Sequence, residues 1–300
     1  MNSKFDANKT KLDLNIGFHV SIAGSIDKAV DRAVKLGCTT FQVFTRSPRS
    51  WRFKELNPEA CQAFITKRQA AKLQPVFVHM PYLPNLSSSD EDVYQKSVNA
   101  LIEEFKRCEC LKIPYLITHC GSHKGKGADV GREQICNALE RAYKEHPTSI
   151  QVLLENTGGG KSSMGNTFED LERIFDCLGD NVNRKVGICL DTCHAFVAGY
   201  ELRTPKAIEN LVHKMTGFGL DRLKVIHAND SMSDKGSRLD RHQHIGQGHI
   251  GMEGFKAILH HPDLRSLPFI LETPRTSYED DLRNLQTMQQ LYSLKRNNIR

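Results

Sequence analysis

The sequence predicts one α/β domain, a (β/α)8 barrel of parallel strands, on three observations. Eight short apolar runs of strand length alternate with longer amphipathic stretches. The chain has 300 residues, the size of one such barrel, and no linker or shift in composition divides it. Most of the apolar runs end in a histidine or a carboxylate, as strands do when their C-terminal ends share a site. An open doubly wound sheet is the alternative. Eight even repeats favour closure.

The elements follow in order. Residues 1–14 are polar and lysine-containing, lack the apolar core of a signal peptide, and read as a flexible extension. Residues 15–20 form a first strand. Residues 24–36 follow with Ile26, Ala29, Val30, Ala33 and Val34 at helical spacing, ended by Gly37. Residues 40–44 are a second strand, followed by the polar loop 45–51 and a helix over 58–73. The third strand is 75–79, with a loop over 80–86 and a long amphipathic helix over 90–111. Further strands are expected at 115–119, 150–155, 186–191, 223–227 and 269–272. The intervening helices are expected at 132–145, 168–178, 205–215 and 254–260. Pro205 suits the first turn of its helix. Residues 236–251 form a long loop rich in Gly and His, and a helix over 278–294 closes the barrel domain 15–294 before a tail at 295–300.

No run of about 18 apolar residues is present, so no membrane-spanning segment is expected. Nine cysteines, an odd number without ribbon or finger spacing, read as reduced thiols in an intracellular, reducing compartment. A net charge of +6 allows a polyanionic partner without establishing one.

The chemistry lies at the strand ends. The third ends at His79, the fourth at His119 and the fifth at Glu155. The sixth ends at Asp191 with His194 just beyond, the seventh at His227 and the eighth at Glu272. The seventh strand's loop adds Asp240 and His242. A strand-end Asp that caps the next loop, beside a satisfied core histidine, accounts for any one of these. The repetition across strands is what points to a shared metal site. In a barrel these nine residues converge on one rim. Imidazole and carboxylate ligands without an obligatory thiolate suit zinc, manganese or iron. One catalytic zinc takes three protein ligands, so nine residues could serve two or three ions. Metals about 3.5–4 Å apart clamp both the attacking and the leaving oxygen of a displacement at phosphorus. His19 ends the first strand and could face the site without ligating. The remaining histidines, 123, 146, 213, 244, 249, 260 and 261, read as surface or loop residues.

Weaker features sit in the rim loops. Gly158-Gly159-Gly160-Lys161 matches neither a dinucleotide fingerprint nor a P-loop, and reads as room for backbone near the site. Lys235, Arg238 and Arg241 either meet phosphates or are solvated charges. Arg49, Trp51 and Tyr82 join a basic group to aromatics, which a wedging or stacking contact to bases needs. Trp51 anchoring its own loop is an equal reading.

At these residues the sequence closely resembles the DNA endonuclease IV family of apurinic/apyrimidinic endonucleases. The resemblance runs from Gly17 to about Leu291. Its pieces are GFHVS at 17–21, HCGSH at 119–123, LENT at 154–157, LDTCHAF at 190–196, HAND at 227–230, GSRLDRH at 236–242 and LET at 271–273. It implies a TIM barrel of the xylose isomerase-like type with three zinc ions per chain, manganese or iron being admissible at one site. His79, His119 and bridging Glu155 would hold the first ion. Glu155, Asp191, His227 and Glu272 would hold the second, and His194, Asp240 and His242 the third. Glu155 and Glu272 would be the catalytic carboxylates. The implied activity is zinc-dependent hydrolysis of the DNA phosphodiester 5′ to an abasic site in base excision repair. The products would be a 3′-hydroxyl and a 5′-deoxyribose phosphate, and blocked 3′ ends would also be cleaned. The implied partner is double-stranded DNA with abasic sites or blocked 3′ ends, met by a monomer through Arg49, Tyr82 and Leu83. The sequence departs from the family at Cys120, usually a proline, and at Ser47-Pro48, where other members carry amides. A metal-dependent sugar isomerase on the same barrel is the competing class, and a catalytically dead DNA-binding barrel a further one.

Overall fold

The structure, a computed structural model, describes residues 13–275 and 277–294; the expected extension up to residue 12 and the tail 295–300 lie outside the described residues. The strands are β1 (Ile16–Phe18), β2 (Phe41–Val43), β3 (Val76–His79), β4 (Tyr115–His119), β5 (Gln151–Glu155), β6 (Val186–Asp191), β7 (Leu223–His227), β8 (Asp230–Ser231), β9 (His242–Gln243) and β10 (Phe269–Leu271). The helices are α1 (Lys28–Leu36), α2 (Pro58–Ala70), α3 (Glu91–Leu111), α4 (Ala128–Glu145), α5 (Phe168–Cys177), α6 (Asp180–Asn183), α7 (Thr192–Ala198), α8 (Pro205–Met215), α9 (Gly251–His260) and α10 (Tyr278–Ser293).

Eight strands pair in parallel in the order β1-β10-β7-β6-β5-β4-β3-β2. The ring closes through a parallel bridge between His19 and Gln42, with the Val20 N–H donating to the Gln42 carbonyl at 2.8 Å. Gly17 is required at this seam, because a Cβ there would lie 1.7 Å from the Thr40 carbonyl oxygen. The eight expected strands are thus the barrel strands.

Local chemistry sets the helix starts. The side chains of Asn57, Asp90, Thr167, Thr204 and Ser277 each accept a main-chain N–H of the first turn, and Pro58 and Pro205 occupy that turn. Helices α4 and α9 begin three or four residues earlier than the apolar spacing suggests, since their first turns are exposed and carry little pattern. Sequence periodicity misses α6, α7 and the antiparallel ribbon β8–β9, which are too short to show it.

The helices pack around the sheet through one large apolar cluster, which includes Leu14, a residue expected in the extension. One expectation is corrected on the outer layer. Cys136 of α4 and Cys177 of α5 form a disulfide, so not every cysteine is a free thiol. The pairing follows from helix packing that brings the two Cα atoms to 6.4 Å, which a separation of 41 residues in sequence does not reveal. Among the described residues no helix is long and apolar enough to cross a membrane.

Candidate metal centre

Strand pleating builds the site. Inside the barrel, Phe77, Ile117, Leu153, Cys189, Val225 and Ile270 form a separate buried apolar cluster. Side chains two residues apart on a strand share a face, so the next inward layer is His79, His119, Glu155, Asp191, His227 and Glu272. The apolar plug beneath seals this layer from below. Six of the nine expected residues are therefore brought together by one register.

Glu155 is the centre. It is fully buried, with Oε2 3.0 Å from His79 Nε2 and 3.1 Å from His119 Nε2. Its Oε1 lies 3.1 Å from His227 Nδ1 and 3.4 Å from His194 Nδ1. Glu272 Oε2 is 3.5 Å from the same His227 nitrogen. Asp191 caps α7, its Oδ1 accepting the His194 N–H at 2.8 Å, while Oδ2 lies 3.9 Å from His227 and 3.7 Å from His242. It is thus both a helix cap and a member of the cluster. His194 comes from the first turn of α7, and Asp240 with His242 from the loop entering β9. Asp240 lies 3.0 Å from His194 Nε2 and 3.4 Å from His242 Nε2. All nine expected residues fall in groups whose ligand atoms lie within 4.8 Å of one another.

The histidine tautomers follow from the outer hydrogen bonds. His79 Nδ1–H donates to the Met80 carbonyl at 2.7 Å, His194 Nδ1–H to the Asn156 carbonyl at 2.9 Å and His242 Nδ1–H to the Glu272 carbonyl at 3.0 Å. His227 uses the other nitrogen, Nε2–H donating to Gln42 Oε1 at 2.8 Å. In each ring the inner nitrogen is left facing carboxylate oxygens. Two lone pairs at about 3 Å repel, so a cation, proton or metal, belongs between them. His242 Nε2 is buried and, among the described residues, has no hydrogen-bond partner, only the Asp240 and Asp191 carboxylates at 3.4 and 3.7 Å. The donor set, imidazole nitrogens around shared carboxylates, fits zinc.

In the metal-free protein, protons serve as the cation. Burial disfavours the His194 imidazolium, but Asp191, Asp240 and Glu155 raise its pKa to about 10. His242 is likewise disfavoured by burial and raised to about 9 by Asp191 and Asp240. Burial pushes the Glu155 carboxyl up, and His227 and His119 more than reverse this, holding it well below the usual range. Two buried thiols also border the site. Burial raises the Cys189 pKa to about 12 and pushes Cys193 up as well, so both stay protonated beside the imidazoles.

Sequence reasoning missed the residues that hold this layer. Gln42 Nε2 donates to Glu272 Oε1 at 2.6 Å while its carbonyl holds His227. Asn229 Nδ2 donates to Asp191 Oδ2 at 2.7 Å, and Asn229 Oδ1 accepts the Glu272 N–H at 2.8 Å. Asn156 clamps Asp191 through the N–H and carbonyl of the latter, at 2.7 and 3.1 Å. The available signal was an amide directly after Glu155 and another two residues after His227. Buried Asp230 accepts main-chain N–H groups of Ser231, Gly246, Gly248, Ile250 and Gly251, tying down the segment after β9. Gly158 is needed where a Cβ would lie 2.9 Å from Val197 Cγ2 and 3.5 Å from Asp240 Cβ.

At the rim, Arg49, Tyr82 and Leu83 are exposed, Tyr82 to 57%. Their loops are joined by the Tyr82 N–H donating to the Pro48 carbonyl at 3.0 Å. Phe44 links rim to centre, its ring 5.2 Å from Tyr82, 5.6 Å from His79 and 4.2 Å from His19. His19 faces the site, Nδ1 lying 3.1 Å from Glu272 Oε1. Trp51 packs half-buried on the core and so anchors its loop. Lys235 pairs with Glu201 at 3.1 Å, and Arg238 and Arg241 are exposed. His261, expected as a surface or loop residue, lies in the turn after α9, which folds it inward so that it is buried and paired with Glu209 at 3.2 Å. Cys120 is buried, and burial raises its thiol pKa well above the usual value.

Fold and site together define a TIM barrel whose rim gathers imidazoles and carboxylates around a common point, in groups that could hold a metal ion. A family model described as "Xylose isomerase-like TIM barrel" matches residues 30–293. A "Probable endonuclease 4" of Methanoculleus marisnigri is 48% identical over 278 residues, spanning 92% of this chain and 98% of that relative. Endonuclease IV from Thermus thermophilus superposes with a TM-score of 0.82 at 36% identity, covering 92% of this chain and 98% of its own. A D-tagatose 3-epimerase-like protein shares the fold alone, with 17% identity and a TM-score of 0.71. The chain belongs to the endonuclease 4 family within the xylose isomerase-like TIM barrels.

Proposed function

We propose that this chain is a zinc-dependent apurinic/apyrimidinic endonuclease of base excision repair, formed by residues 15–294 and acting as a monomer in an intracellular, DNA-containing compartment. It hydrolyses the phosphodiester 5′ to an abasic site, leaving a 3′-hydroxyl and a 5′-deoxyribose phosphate, and it cleans blocked 3′ ends. The observation that carries this reading is the cluster of imidazoles and carboxylates whose inner nitrogens face carboxylate oxygens at about 3 Å, an arrangement that holds a cation between them. Membership in the endonuclease 4 family supports the same conclusion.

His79, His119 and Glu155 would hold one zinc, and Glu155, Asp191, His227 and Glu272 a second. His194, Asp240 and His242 would hold a third, with manganese or iron admissible at one position. Bound zinc lowers the pKa of water towards neutrality and neutralises charge gathering at phosphorus. The chain's own residues do the rest. Glu155 spans the groups through both oxygens. Gln42 and His19 fix the Glu272 carboxylate, so its orientation costs no reorganisation during reaction. No side-chain nucleophile is required, which matches protonated Cys189 and Cys193.

Exposed Arg49, Tyr82 and Leu83 project where duplex DNA would approach, and they would enter it to hold the abasic nucleotide outside the helix. Extruding a nucleotide that lacks its base forfeits less stacking and pairing than extruding an intact one, which favours abasic sites. The products test the chemistry. A cut strand that a DNA polymerase extends directly carries a 3′-hydroxyl and supports hydrolysis 5′ to the lesion. A blocked 3′ end at the cut would mean lyase chemistry and overturn it.

A further inference from the structure

Only two of the nine cysteines are exposed, Cys110 and Cys177. Each meets a buried cysteine of the neighbouring helix. Cys177 of α5 is bonded to Cys136 of α4. Cys110, in the last turn of α3, faces Cys61 near the start of α2, and its thiol donates to the Cys61 sulfur at 2.8 Å. Both pairs lie in the outer helix layer. The other cysteines, Cys38, Cys108, Cys120, Cys189 and Cys193, are buried free thiols.

Helix packing creates the second contact. Cys61 is buried with Phe64 and Ile65 on the inner face of α2, and Cys108 and Leu111 are buried in the last turns of α3. Cys110 is thereby set at the side of α3 that meets α2. Polar contacts fix this pair of helices. Arg68 of α2 donates to the Lys112 carbonyl, just past α3, at 3.0 Å. Arg107, one turn before Cys110, donates to the Thr45 and Lys54 carbonyls at 2.8 and 3.0 Å, holding the segment that leads into α2. The two sulfurs are closer than unbonded sulfur atoms rest and somewhat beyond the bonded separation of about 2.05 Å. Little motion is needed to join them.

We propose that Cys61 and Cys110 form an oxidation site, which a small-molecule disulfide of the glutathione class converts to a second inter-helix disulfide stapling α2 to α3. Cys110 loses its proton to solvent, and its sulfur attacks the disulfide of the reagent. That S–S bond breaks, a mixed S–S bond forms, and one reagent thiol leaves with a proton. Cys61 then gives up its proton, its sulfur attacks Cys110 Sγ, and the second reagent thiol leaves with a proton. The protein loses two electrons and two protons, and the reagent gains both. Burial and the adjoining Cys110 sulfur push the Cys61 thiol up to about 12, so exposed Cys110 reacts first and Cys61 resolves. The inference goes beyond the nuclease reading and does not rest on it.

The test uses the full chain, first reduced and then held with reduced or oxidised glutathione. Free thiols are alkylated in denaturant, and the peptides are read by mass spectrometry without reduction. Oxidised wild type should yield a peptide pair joined through Cys61 and Cys110 beside the Cys136–Cys177 pair. Cys110→Ser, a change at an exposed position, should keep the latter pair and leave Cys61 alkylated. The new bond closes a separation of 49 residues. A disulfide over such a loop lowers the unfolding constant on the order of thirty- to a thousandfold, so oxidised wild type should unfold at higher denaturant concentration than oxidised Cys110→Ser. Cys61 and Cys110 both alkylated after oxidation would overturn the proposal, as would a lasting glutathione adduct on Cys110 with Cys61 free. A Cys61 linkage that survives in Cys110→Ser runs through another cysteine and would overturn it too. Equal unfolding midpoints for the two oxidised proteins would overturn the staple.

Discussion

Replacing Gln42 by leucine probes how the metal centre is held. The amide receives the His227 Nε2–H at 2.8 Å and donates to Glu272 Oε1 at 2.6 Å. Leucine has nearly the same volume, so packing changes little, but a fully buried imidazole N–H loses its acceptor. An unsatisfied buried polar group costs about 1–3 kcal/mol. The metal-free protein should lose stability in that range, read from chemical denaturation. The second effect is on metal affinity. His227 is then free to adopt the other tautomer and to rotate, and outer-sphere changes of this kind typically cost about 10–100-fold in affinity. Competition with a chromophoric chelator measures it directly, without recourse to activity. Gln42→Glu gives an internal control of sign. It keeps an acceptor for His227 but sets a second carboxylate beside Glu272, so the metal-free form should be less stable than with leucine. Metal affinity unchanged in Gln42→Leu would refute the claim that this amide organises the site.

Further outcomes follow from the same geometry. Glu272→Gln should reduce cleavage by more than the roughly hundredfold upper range of outer-sphere changes while leaving DNA binding near wild type, as rate and gel-shift measurements would show. Arg49→Ala should weaken duplex binding and reduce the slope of log K against log salt by about one; an unchanged slope would remove Arg49 from the DNA face. For pH, His194 and His242 are raised in the folded metal-free protein to about 10 and about 9. Their stabilising contribution is then complete below the unfolded value near 6.5 and is lost as pH rises through 9 to 10. Metal must displace those protons, so zinc affinity should rise with pH over the same window, with proton release visible in calorimetry across buffers of different ionisation enthalpy.

The strands and six of the nine clustered residues were legible because one physical rule governs both. An inward-facing apolar residue, followed two positions later by a polar one, marks where a buried strand reaches the rim, as in Phe77 and His79 or Leu153 and Glu155. His194 was legible from its place just beyond Asp191. Asp240 and His242 follow the seventh strand in a stretch without periodicity, so they were legible only as polar groups close to that strand's rim end. Gln42 was hidden because a polar residue inside a short apolar run reads as ordinary alternation. Its importance comes from barrel closure, which sets it against His227, 185 residues away. The Cys136–Cys177 pairing and the inward turn of His261 were hidden for the same reason, since both depend on which helices pack side by side.

The most direct test of the central claim is nicking of an end-labelled duplex carrying one synthetic abasic site, beside an intact duplex, with the protein as purified, after chelation and after zinc is restored. Cleavage confined to the abasic site, lost on chelation and regained with zinc, is the predicted result. Fully zinc-loaded protein that leaves the abasic strand uncut would contradict the account.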